Sequence, residues 1–368
     1  MPKNKKNIIF FMPFIDQGGV EKNLIIITNY LCKKISNIKI CSLSFNKRNK
    51  FDKKIKFISP SIKIARNLNI KIKYLICLYI LFKFLLKNKN SIVFTFQANV
   101  YCVLLCKILN IKIIVRNNSS PSGWNHNIFK KQIYKYIMSK SDKIIVNSLD
   151  FQEQMEKKFN LETECIFNPL NISEIIKEFK KKINQNYFKK KNSLKLINIG
   201  RFTDQKDQIT ILKAANILKE HLNFELLIIG FGEKKEELIR FVTKNNLSKF
   251  VRIINLHSNV YNVLNQSDIF ILSSKYEGLP NVLLEAASLK KFIISTNCPT
   301  GPKEILLNGK GGLFFKTGDY NDLSKKIILY SKNRKKFNKK ILTSFKGLER
   351  YDLEKNLKKY QNILVNLI

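Results

Sequence analysis

The stretch IFILSSKYEGLPNVLLEAASLKKFIISTN, residues 269–297, joins two short apolar runs through a polar loop and a helical pattern. Runs like those at 269–274 and 292–297 are typical of strands buried on both faces, and a helix between two such strands forms the βαβ unit of a parallel sheet. Pro280 is predicted as the first residue of this helix, because a proline there lacks only an N–H that the helix does not use. The stretch therefore predicts a parallel α/β fold.

The same alternation recurs along the 368 residues. Further strand-like runs lie at 7–12, 39–44, 91–96, 112–117 and 143–148 in the first half and at 194–200, 224–230, 251–256 and 311–315 in the second. We predict the α/β class with two Rossmann-like, doubly wound domains. The predicted segments are an N-terminal domain at 1–170, a polar, lysine-rich linker at 171–193, a C-terminal domain at 194–345, and a C-terminal helix at 346–368 that can pack back on the first domain.

The chain carries 67 Lys and Arg against 27 Asp and Glu, a net charge of +40, with 45% hydrophobic residues. This apolar fraction excludes a disordered polycation. The first 130 residues hold 24 basic residues and three acids, a net of +21. A field of that sign attracts phosphates on nucleic acid, on an anionic bilayer or on a small substrate, and charge alone does not choose among them.

The seven cysteines form no CxxC pair and have no histidine at ligand spacing, which is typical of free thiols in a reducing, cytoplasmic compartment. The longest apolar stretch, 74–86, is too short to span a bilayer and contains Lys83. The surrounding segment 71–90 is basic-flanked and apolar. It can be a buried crossover helix, a membrane-docking helix, or a crossover helix whose lysines contact lipid.

Two acids on the quoted stretch are the first candidate site residues. Glu277 lies in the loop before the predicted helix, and Glu285 lies about a turn and a half inside it. The N–H groups at the helix N-terminus offer an anion site between them. The alternative is a solvated glutamate that caps its own helix.

Two loops supply candidate phosphate contacts. Arg201 and Lys206 follow Gly200 in the loop GRFTDQKDQ, where an arginine fork and a lysine can hold two oxygens of a diphosphate. Gly18 and Gly19 follow the first strand and can bring backbone N–H groups to a phosphate or sugar. The alternative for the lysine is ordinary surface charge. The glycine pair is neither GxGxxG nor a P-loop, which argues against nicotinamide dinucleotides and ATPase chemistry.

These motifs together resemble a known family. GGVEKN (18–23), GRFTDQKDQITILKAANIL (200–218), IIGFGEKKEEL (228–238), YEGLPNVLLEA (276–286) and CPTGPKEIL (298–306) occur in the order seen in family 4 retaining glycosyltransferases of the GT-B fold, in the branch that assembles bacterial surface glycans. The resemblance runs over nearly the whole chain and is strongest from 194 to 319.

The resemblance implies two domains that face each other across a cleft, with the nucleotide sugar bound mainly by the second. Arg201 and Lys206 would neutralise the diphosphate, and Glu277 would contact the transferred sugar, so these three are the expected catalytic residues. The other expected donor contacts are Gly18, Gly19, Gly200, Gly278, Leu279, Pro280 and Glu285, the last of them on the ribose hydroxyls. Such enzymes use no metal and no cofactor, and their donors are UDP- or GDP-linked sugars.

One departure concerns the N-terminal domain, where the family often has a sugar-contacting histidine. Here the corresponding region reads SIVFTFQANVY, with Gln97 and Asn99 at that place. His126 can reach the acceptor or be an ordinary loop residue. His257 can lie near the base of the donor or have a capping role. Gln97, Asn99 and His126 are therefore the acceptor-side candidates.

The function predicted from the sequence is transfer of a hexose or N-acetylhexosamine from a nucleotide-diphosphate sugar to a glycan or polyprenyl-diphosphate-linked acceptor. The enzyme is expected to be cytoplasmic, peripheral on the anionic inner leaflet, and without a nucleic-acid partner. One alternative is a transferase with a soluble acceptor. Another is a basic nucleic-acid-binding protein, although no recognisable binding module is present. A non-catalytic partner subunit is disfavoured because Arg201, Lys206, Glu277 and Glu285 are all present.

Overall fold

The computed structural model describes residues 6–15, 18–44, 48–60, 69–118, 128–181, 186–255 and 259–368. The chain divides into two compact units, Met1–Pro169 together with Leu353–Ile368, and Leu170–Asp352. Each unit has its own parallel β-sheet and its own hydrophobic core. The predicted α/β class with two parallel-sheet domains is confirmed.

In the described part of the first unit, a seven-stranded parallel sheet has the strand order 3, 2, 1, 4, 5, 6, 7. Its strands are β1 (Asn7–Phe11), β2 (Ile38–Cys41), β3 (Lys56–Ile58), β4 (Ser91–Thr95), β5 (Lys112–Arg116), β6 (Lys143–Val146) and β7 (Glu164–Cys165). The short strands β3 and β7 were not predicted, because they lie at the sheet edges and lack the continuous apolar run of a strand buried on both faces.

Helices cover both faces of this first sheet. They are α1 (Gly19–Leu31), α2 (Ile70–Lys87), α3 (Asn99–Ile108), α4 (Ile128–Met138), α5 (Leu149–Phe159) and α14 (Leu353–Leu367). Ile8 and Phe10 of β1 point to one face and pack with α1 and α14, whereas Ile9 and Phe11 point to the other and pack with α2 to α5. This alternation is why β1 reads as an uninterrupted apolar run.

The second sheet is also parallel, with the order 10, 9, 8, 11, 12, 13 in its described residues. Its strands are β8 (Leu194–Ile199), β9 (Phe224–Gly230), β10 (Val251–Asn255), β11 (Ile269–Leu272), β12 (Phe292–Thr296) and β13 (Leu313–Phe315). The unit's helices are α6 (Ile172–Lys180), α7 (Gln208–Leu218), α8 (Lys235–Lys244), α9 (Val260–Asn265), α10 (Asn281–Ser288), α11 (Pro302–Ile305), α12 (Tyr320–Lys332) and α13 (Asn338–Lys346). Helices α7, α8 and α12 enclose the core on one face, and α10 contacts β11 and β12.

The segment 171–193 is not the loose linker that its lysine content suggested. Its first half forms α6, whose Ile175 is buried, and the side chain of Asn259 donates to the carbonyl of Glu178 at 2.8 Å. Farther on, the backbone N–H groups of Lys189 and Lys190 donate to the carboxylate of Glu225. The segment therefore belongs to the second unit, because these specific polar contacts, which its composition does not reveal, attach it there.

In the described ranges, no helix combines the length and the apolar character needed to cross a bilayer. Helix α2, the longest apolar candidate, includes Lys71, Lys73, Lys83 and Lys87.

Candidate active site

The strand order reverses at one point in each sheet, and the predicted site residues follow those strands. In the second sheet the reversal lies between β8 and β11, which are parallel neighbours with Leu196 opposite Ile269. Crevices at the carboxyl ends of strands beside such a reversal are where open α/β sheets bind ligands. The loop after β8 contains Arg201 and Lys206, and the loop after β11 contains Glu277. The fold therefore brings these three residues to one edge of one sheet.

Lys206 and Glu277 form the central contact of this edge. The Lys206 Nζ lies 2.5 Å from the Glu277 Oε1, with side-chain exposures of 17% and 7%. The same carboxylate oxygen accepts a hydrogen bond from the Ser274 hydroxyl at 2.6 Å. The attraction between two charges shielded from water to this degree is screened less than that of a surface pair, and removing one partner leaves the other as a poorly solvated charge. The burial of Glu277 also rules out a solvated cap as its role.

The loops around this pair are joined by hydrogen bonds from side chains to main-chain carbonyls. The Thr300 hydroxyl donates to the carbonyl of Glu277 at 2.5 Å, and the Ser273 hydroxyl donates to the carbonyl of Lys206 at 2.7 Å. The Gln205 side chain donates to the carbonyl of Tyr276 at 2.9 Å. Three loops, those after β8, β11 and β12, are thus held in one geometry.

Sequence reasoning missed Gln205, Ser273, Ser274 and Thr300. Their signal was weak, since small hydroxyl residues after a buried strand are common in turns. Strands β8, β11 and β12 are adjacent in the sheet, and this adjacency, which the sequence does not reveal, decides which carbonyl each side chain reaches.

Arg201 differs from Lys206 in its surroundings. Its side chain is exposed, and among the described residues its guanidinium has no hydrogen-bond or ion-pair partner. The carbonyl of Arg201 accepts from the Gln208 side chain at 2.9 Å, which holds the backbone of the loop. The five N–H donors of this exposed guanidinium are therefore accessible to an anion from solvent.

Two glycines allow loops of the site to approach each other closely. A Cβ on Gly301, whose φ is +78°, would lie 2.2 Å from the carbonyl oxygen of Gly278. A Cβ on Gly230 would lie 1.9 Å from the carbonyl oxygen of Gly200. Gly200 itself has room for a Cβ, whose nearest neighbours would be at 3.7 Å. Protein packing thus requires glycine at 301 and 230, whereas at 200 it does not.

Helix α10 begins at Asn281, one residue later than predicted. Pro280 precedes the helix with φ −72° and ψ 104°, so its backbone is extended rather than helical. Gly278, Leu279 and Pro280 are buried in the turn that leads into the helix. In the first turn of α10, the N–H of Leu283 donates to the carbonyl of Pro280 at 3.0 Å, so the turn and the helix end are joined by a backbone hydrogen bond.

Glu285 lies inside α10 and is buried. Its Oε1 accepts a hydrogen bond from the Tyr261 hydroxyl of α9 at 3.2 Å. In the loop after β12, burial and the Glu277 carboxylate raise the pKa of the Cys298 thiol to about 12. That thiol stays protonated at physiological pH and is therefore a poor nucleophile.

Gly18, Gly19, Gln97 and Asn99 follow the two strands at the reversal of the first sheet, β1 and β4. Gly18 caps α1 after β1 with an extended backbone, and Gly19 is the first helical residue. After β4, the Asn99 side chain donates to the carbonyl of Arg116 at 3.1 Å and to the Asn117 Oδ1 at 2.7 Å. Asn99 thus joins the ends of β4 and β5.

The remaining candidates are Gln97 and two histidines. The Gln97 Oε1 is buried and has no hydrogen-bond partner in the described part of the chain. His126 and His257 lie outside the described residues. The described ranges also contain no group of three or more His, Cys, Asp and Glu residues that could hold a metal ion.

Comparison with known proteins gives consistent matches. Residues 179–343 match the family described as Glycosyl transferases group 1. An uncharacterized glycosyltransferase of Methanocaldococcus jannaschii is 36% identical over 250 residues, which cover 62% of this chain and 61% of that relative. A Campylobacter jejuni enzyme named as a GalNAc-α-(1→4)-GalNAc-α-(1→3)-diNAcBac-PP-undecaprenol α-1,4-N-acetyl-D-galactosaminyltransferase is 26% identical over 361 residues, 92% of each chain.

Among solved structures, HepE of Anabaena in complex with UDP and glucose has a TM-score of 0.78 at 14% identity, over 98% of this chain and 99% of that one. A likeness at this identity shows the fold, which is the GT-B fold of two parallel-sheet domains. Together with the family match over residues 179–343 and the two relatives, it shows that this part of the chain is similar to the group 1 glycosyl transferases.

Proposed function

We propose that the chain is a retaining glycosyltransferase that moves a hexose or N-acetylhexosamine from a UDP- or GDP-linked sugar to a lipid-linked or growing glycan acceptor. The observation that carries the proposal is the buried Lys206–Glu277 pair beside the exposed Arg201, at the strand-order reversal of the second sheet. Two cations and one carboxylate at this place suit a ligand with a charged diphosphate next to a neutral, hydroxyl-rich sugar.

In this proposal each residue contacts a different part of the donor. Arg201 holds diphosphate oxygens through its fork, and Lys206 adds a point charge. Glu277 accepts hydrogen bonds from sugar hydroxyls, and Glu285 accepts them from the ribose. The buried turn at Gly278 offers backbone N–H groups at the start of α10.

The chemical step breaks the bond between C1 of the sugar and the diphosphate oxygen, whose electron pair stays on the nucleoside diphosphate. The acceptor hydroxyl oxygen forms the new bond to C1 from the same face, and its proton passes to a phosphate oxygen of the leaving group. Negative charge grows on the diphosphate in the transition state, so Arg201 and Lys206 stabilise it more than the ground state.

The acceptor class rests on the relatives and on the charge of the chain. The Campylobacter jejuni relative is named for a diphospho-undecaprenol-linked acceptor. A chain with a net charge of +40 suits a diphosphate-linked lipid at an anionic membrane surface. We therefore propose a cytoplasmic enzyme that works peripherally at the inner membrane, without a metal, a cofactor or a nucleic-acid partner.

The test is donor binding followed by transfer. UDP and GDP, with their hexose and N-acetylhexosamine sugars, are screened by thermal stabilisation, which reaches about 2.7 kcal/mol at 100 times Kd. The donor that binds is then offered to polyprenyl-diphosphate-linked sugars and to soluble oligosaccharides. We expect Lys206→Ala and Glu277→Ala to lower transfer by about 100-fold or more while the circular dichroism spectrum stays native.

The matched control is Lys326→Ala, which removes a lysine from a 3.6 Å surface pair with Asp322 in the same unit. Its turnover should equal that of the native protein. If Lys206→Ala or Glu277→Ala kept native turnover, the assignment of the site would be wrong.

A further inference from the structure

Helix α2 presents an apolar stripe to solvent as well as to the core. Cys77, Leu81 and Leu85 are fully buried against the first sheet. On the opposite side of the helix, Leu75 is 66% exposed, and Tyr79 and Leu86 are exposed as well. An ordinary surface helix has polar residues on its outer side, so the packing of the described residues of this unit does not explain the outward stripe of α2.

The two neighbouring helices have the same feature. Tyr101, Leu104 and Ile108 form the outward stripe of α3, at spacings of three and four residues, and Ile108 is 80% exposed. The outward stripe of α4 consists of Phe129, Ile133 and Tyr136, and Phe129 is 81% exposed.

Helix α3 contacts both α2 and α4, and all three cover the same face of the sheet. The three stripes are therefore neighbours on one side of the unit, here called the α2–α4 face. Contiguous apolar patches of this kind mark interaction surfaces.

The charges on these helices have one sign. Helices α2, α3 and α4 contain eight lysines and no Asp or Glu, and one of these lysines, Lys107, pairs with Asp142 outside the helices at 2.9 Å. The Lys83 Nζ lies 4.7 Å from the centre of the Tyr79 ring, so a cation and an aromatic ring of the face lie side by side. Lysines can extend along an apolar surface while their ammonium groups reach a polar layer above it.

We propose that the α2–α4 face is a docking surface for an anionic lipid bilayer, with its apolar side chains at the acyl boundary and its lysines at the phosphate layer. The proposal rests on the proposed function, in which the acceptor is membrane-linked, and it names the part of the chain that contacts the membrane. The helices lie on the bilayer rather than cross it, since none in the described ranges is apolar enough to span.

Charge decides between the bilayer and a second copy of the chain. In a symmetric dimer through this face, the lysines of these helices would meet from both sides, and the helices themselves contain no acid to pair with them. The cores of protein interfaces are depleted of lysine, whereas anionic lipid attracts each lysine near the surface. A bilayer satisfies both the apolar stripes and the charge.

The experiment is flotation of the purified full chain with vesicles of phosphatidylcholine that contain about 30% phosphatidylglycerol. We expect the native chain to float with these vesicles. The triple variant Leu75→Asn, Phe129→Asn, Ile133→Asn should lower the partition coefficient at least about tenfold, because it removes apolar area from the interface. The triple variant Lys83→Gln, Lys87→Gln, Lys131→Gln should lower it about 100-fold at low salt.

Matched controls come from exposed residues on other helices. Leu329, Leu342 and Val365 are exposed apolar residues on α12, α13 and α14, and their triple Asn variant should float like the native chain. The same holds for the Gln variant of Lys335, Lys336 and Lys339. The proposal is overturned if the native chain does not float, or if the controls lose as much binding as the face variants. It is equally overturned if light scattering shows a native dimer that the face variants convert to monomers.

Failure of this inference can be told apart from failure of the proposed function. UDP or GDP stabilisation of the face variants, together with transfer to a short-chain acceptor in solution, reports on the donor site alone. A chain that binds nucleotide but not vesicles would contradict the docking surface only. A chain that floats normally but neither binds nucleotide nor transfers sugar would contradict the proposed function only.

Discussion

At the scale of single residues, the Lys206–Glu277 pair joins two charges that are both largely shielded from water. Glu277 is the more buried partner and shares its Oε1 between Lys206 and the Ser274 hydroxyl. Removing the lysine leaves a buried carboxylate with one neutral donor, whereas removing the carboxylate leaves a lysine that can still reach water. The two residues should therefore differ in their effects on stability.

We expect Lys206→Met to lower the free energy of unfolding by about 1–3 kcal/mol, and Glu277→Gln to lower it by less. The double variant should be more stable than Lys206→Met alone, because it contains no unpaired buried charge. Guanidinium denaturation followed by circular dichroism measures all three. Equal losses in the two single variants would contradict the asymmetry, and Lys326→Met, from the surface pair, should change stability by about 0.5 kcal/mol or less.

Two glycines of the site give a second prediction. Gly230→Ala should destabilise the chain by about 3 kcal/mol or more, because its Cβ would overlap the backbone carbonyl oxygen of Gly200. Gly200→Ala should change stability by about 0.5 kcal/mol or less, because its Cβ has room. Thermal unfolding checks both.

The Gly200→Ala variant also tests the predicted contact between Gly200 and the donor. If the donor approaches the backbone at 200, Gly200→Ala will weaken nucleotide binding about tenfold or more at unchanged stability. Native nucleotide affinity in this variant would show that the donor does not come close to its Cα.

At the scale of elements, α14 packs in the first unit, where the sequence predicts that the C-terminal helix can pack. It is the last helix, yet it packs with α1 on the first sheet through Leu357, Tyr360 and Ile363. Its Tyr360 hydroxyl accepts from the Nε of the fully buried Arg116 at 2.8 Å, and Asn168 accepts from another nitrogen of the same guanidinium at 2.6 Å. The helix thus supplies an acceptor to a buried cation of β5.

We expect Tyr360→Phe to lower the free energy of unfolding by about 1–3 kcal/mol, because a buried guanidinium N–H loses its acceptor. Tyr30→Phe is the matched control, since the Tyr30 hydroxyl donates to Gln361 at 3.2 Å on the same helix pair but is only half-buried. Its cost should be about 0.5 kcal/mol or less. If both variants unfold at the same denaturant concentration, the Arg116 contact does not stabilise α14.

At the scale of the whole molecule, the net charge of +40 opposes folding through self-repulsion. The described residues pair only some of these charges, and most of their ion pairs are exposed. Added salt screens such repulsion once the Debye length falls to about 10 Å.

We expect the Tm to rise by several degrees when NaCl is increased from about 50 mM to about 300 mM, where screening becomes strong. Stabilisation by the bound nucleotide should persist at the higher salt, because its contacts are partly buried. Retention on immobilised RNA, if seen at low salt, should disappear. Differential scanning fluorimetry at both salt concentrations measures the first two, and a Tm that falls with salt would contradict the role of self-repulsion.

Most strands could be predicted from the sequence because a parallel strand buried on both faces leaves a local apolar run. The edge strands β3 and β7 lack such a run and were missed. Helix α6 was missed because its charged residues resemble those of a linker. Its packing is evident only from the side chains of Asn259 and Asn262, at the start of α9, which donate to carbonyls of α6. The predicted start of α10 was wrong by one residue, since a proline is compatible both with the first helical position and with the position before it.

By itself, the sequence determined the α/β class, the division into two sheets and the charged residues of the candidate site, because each leaves a local pattern of a few residues. Only the tertiary structure decided that β8 lies beside β11, that Lys206 pairs with Glu277, and which hydroxyl groups hold their loops. It also decided that three helices turn apolar stripes outward on one face. The physical reason is that strand order and side-chain partners depend on contacts between segments far apart in the chain, and local periodicity does not encode those contacts.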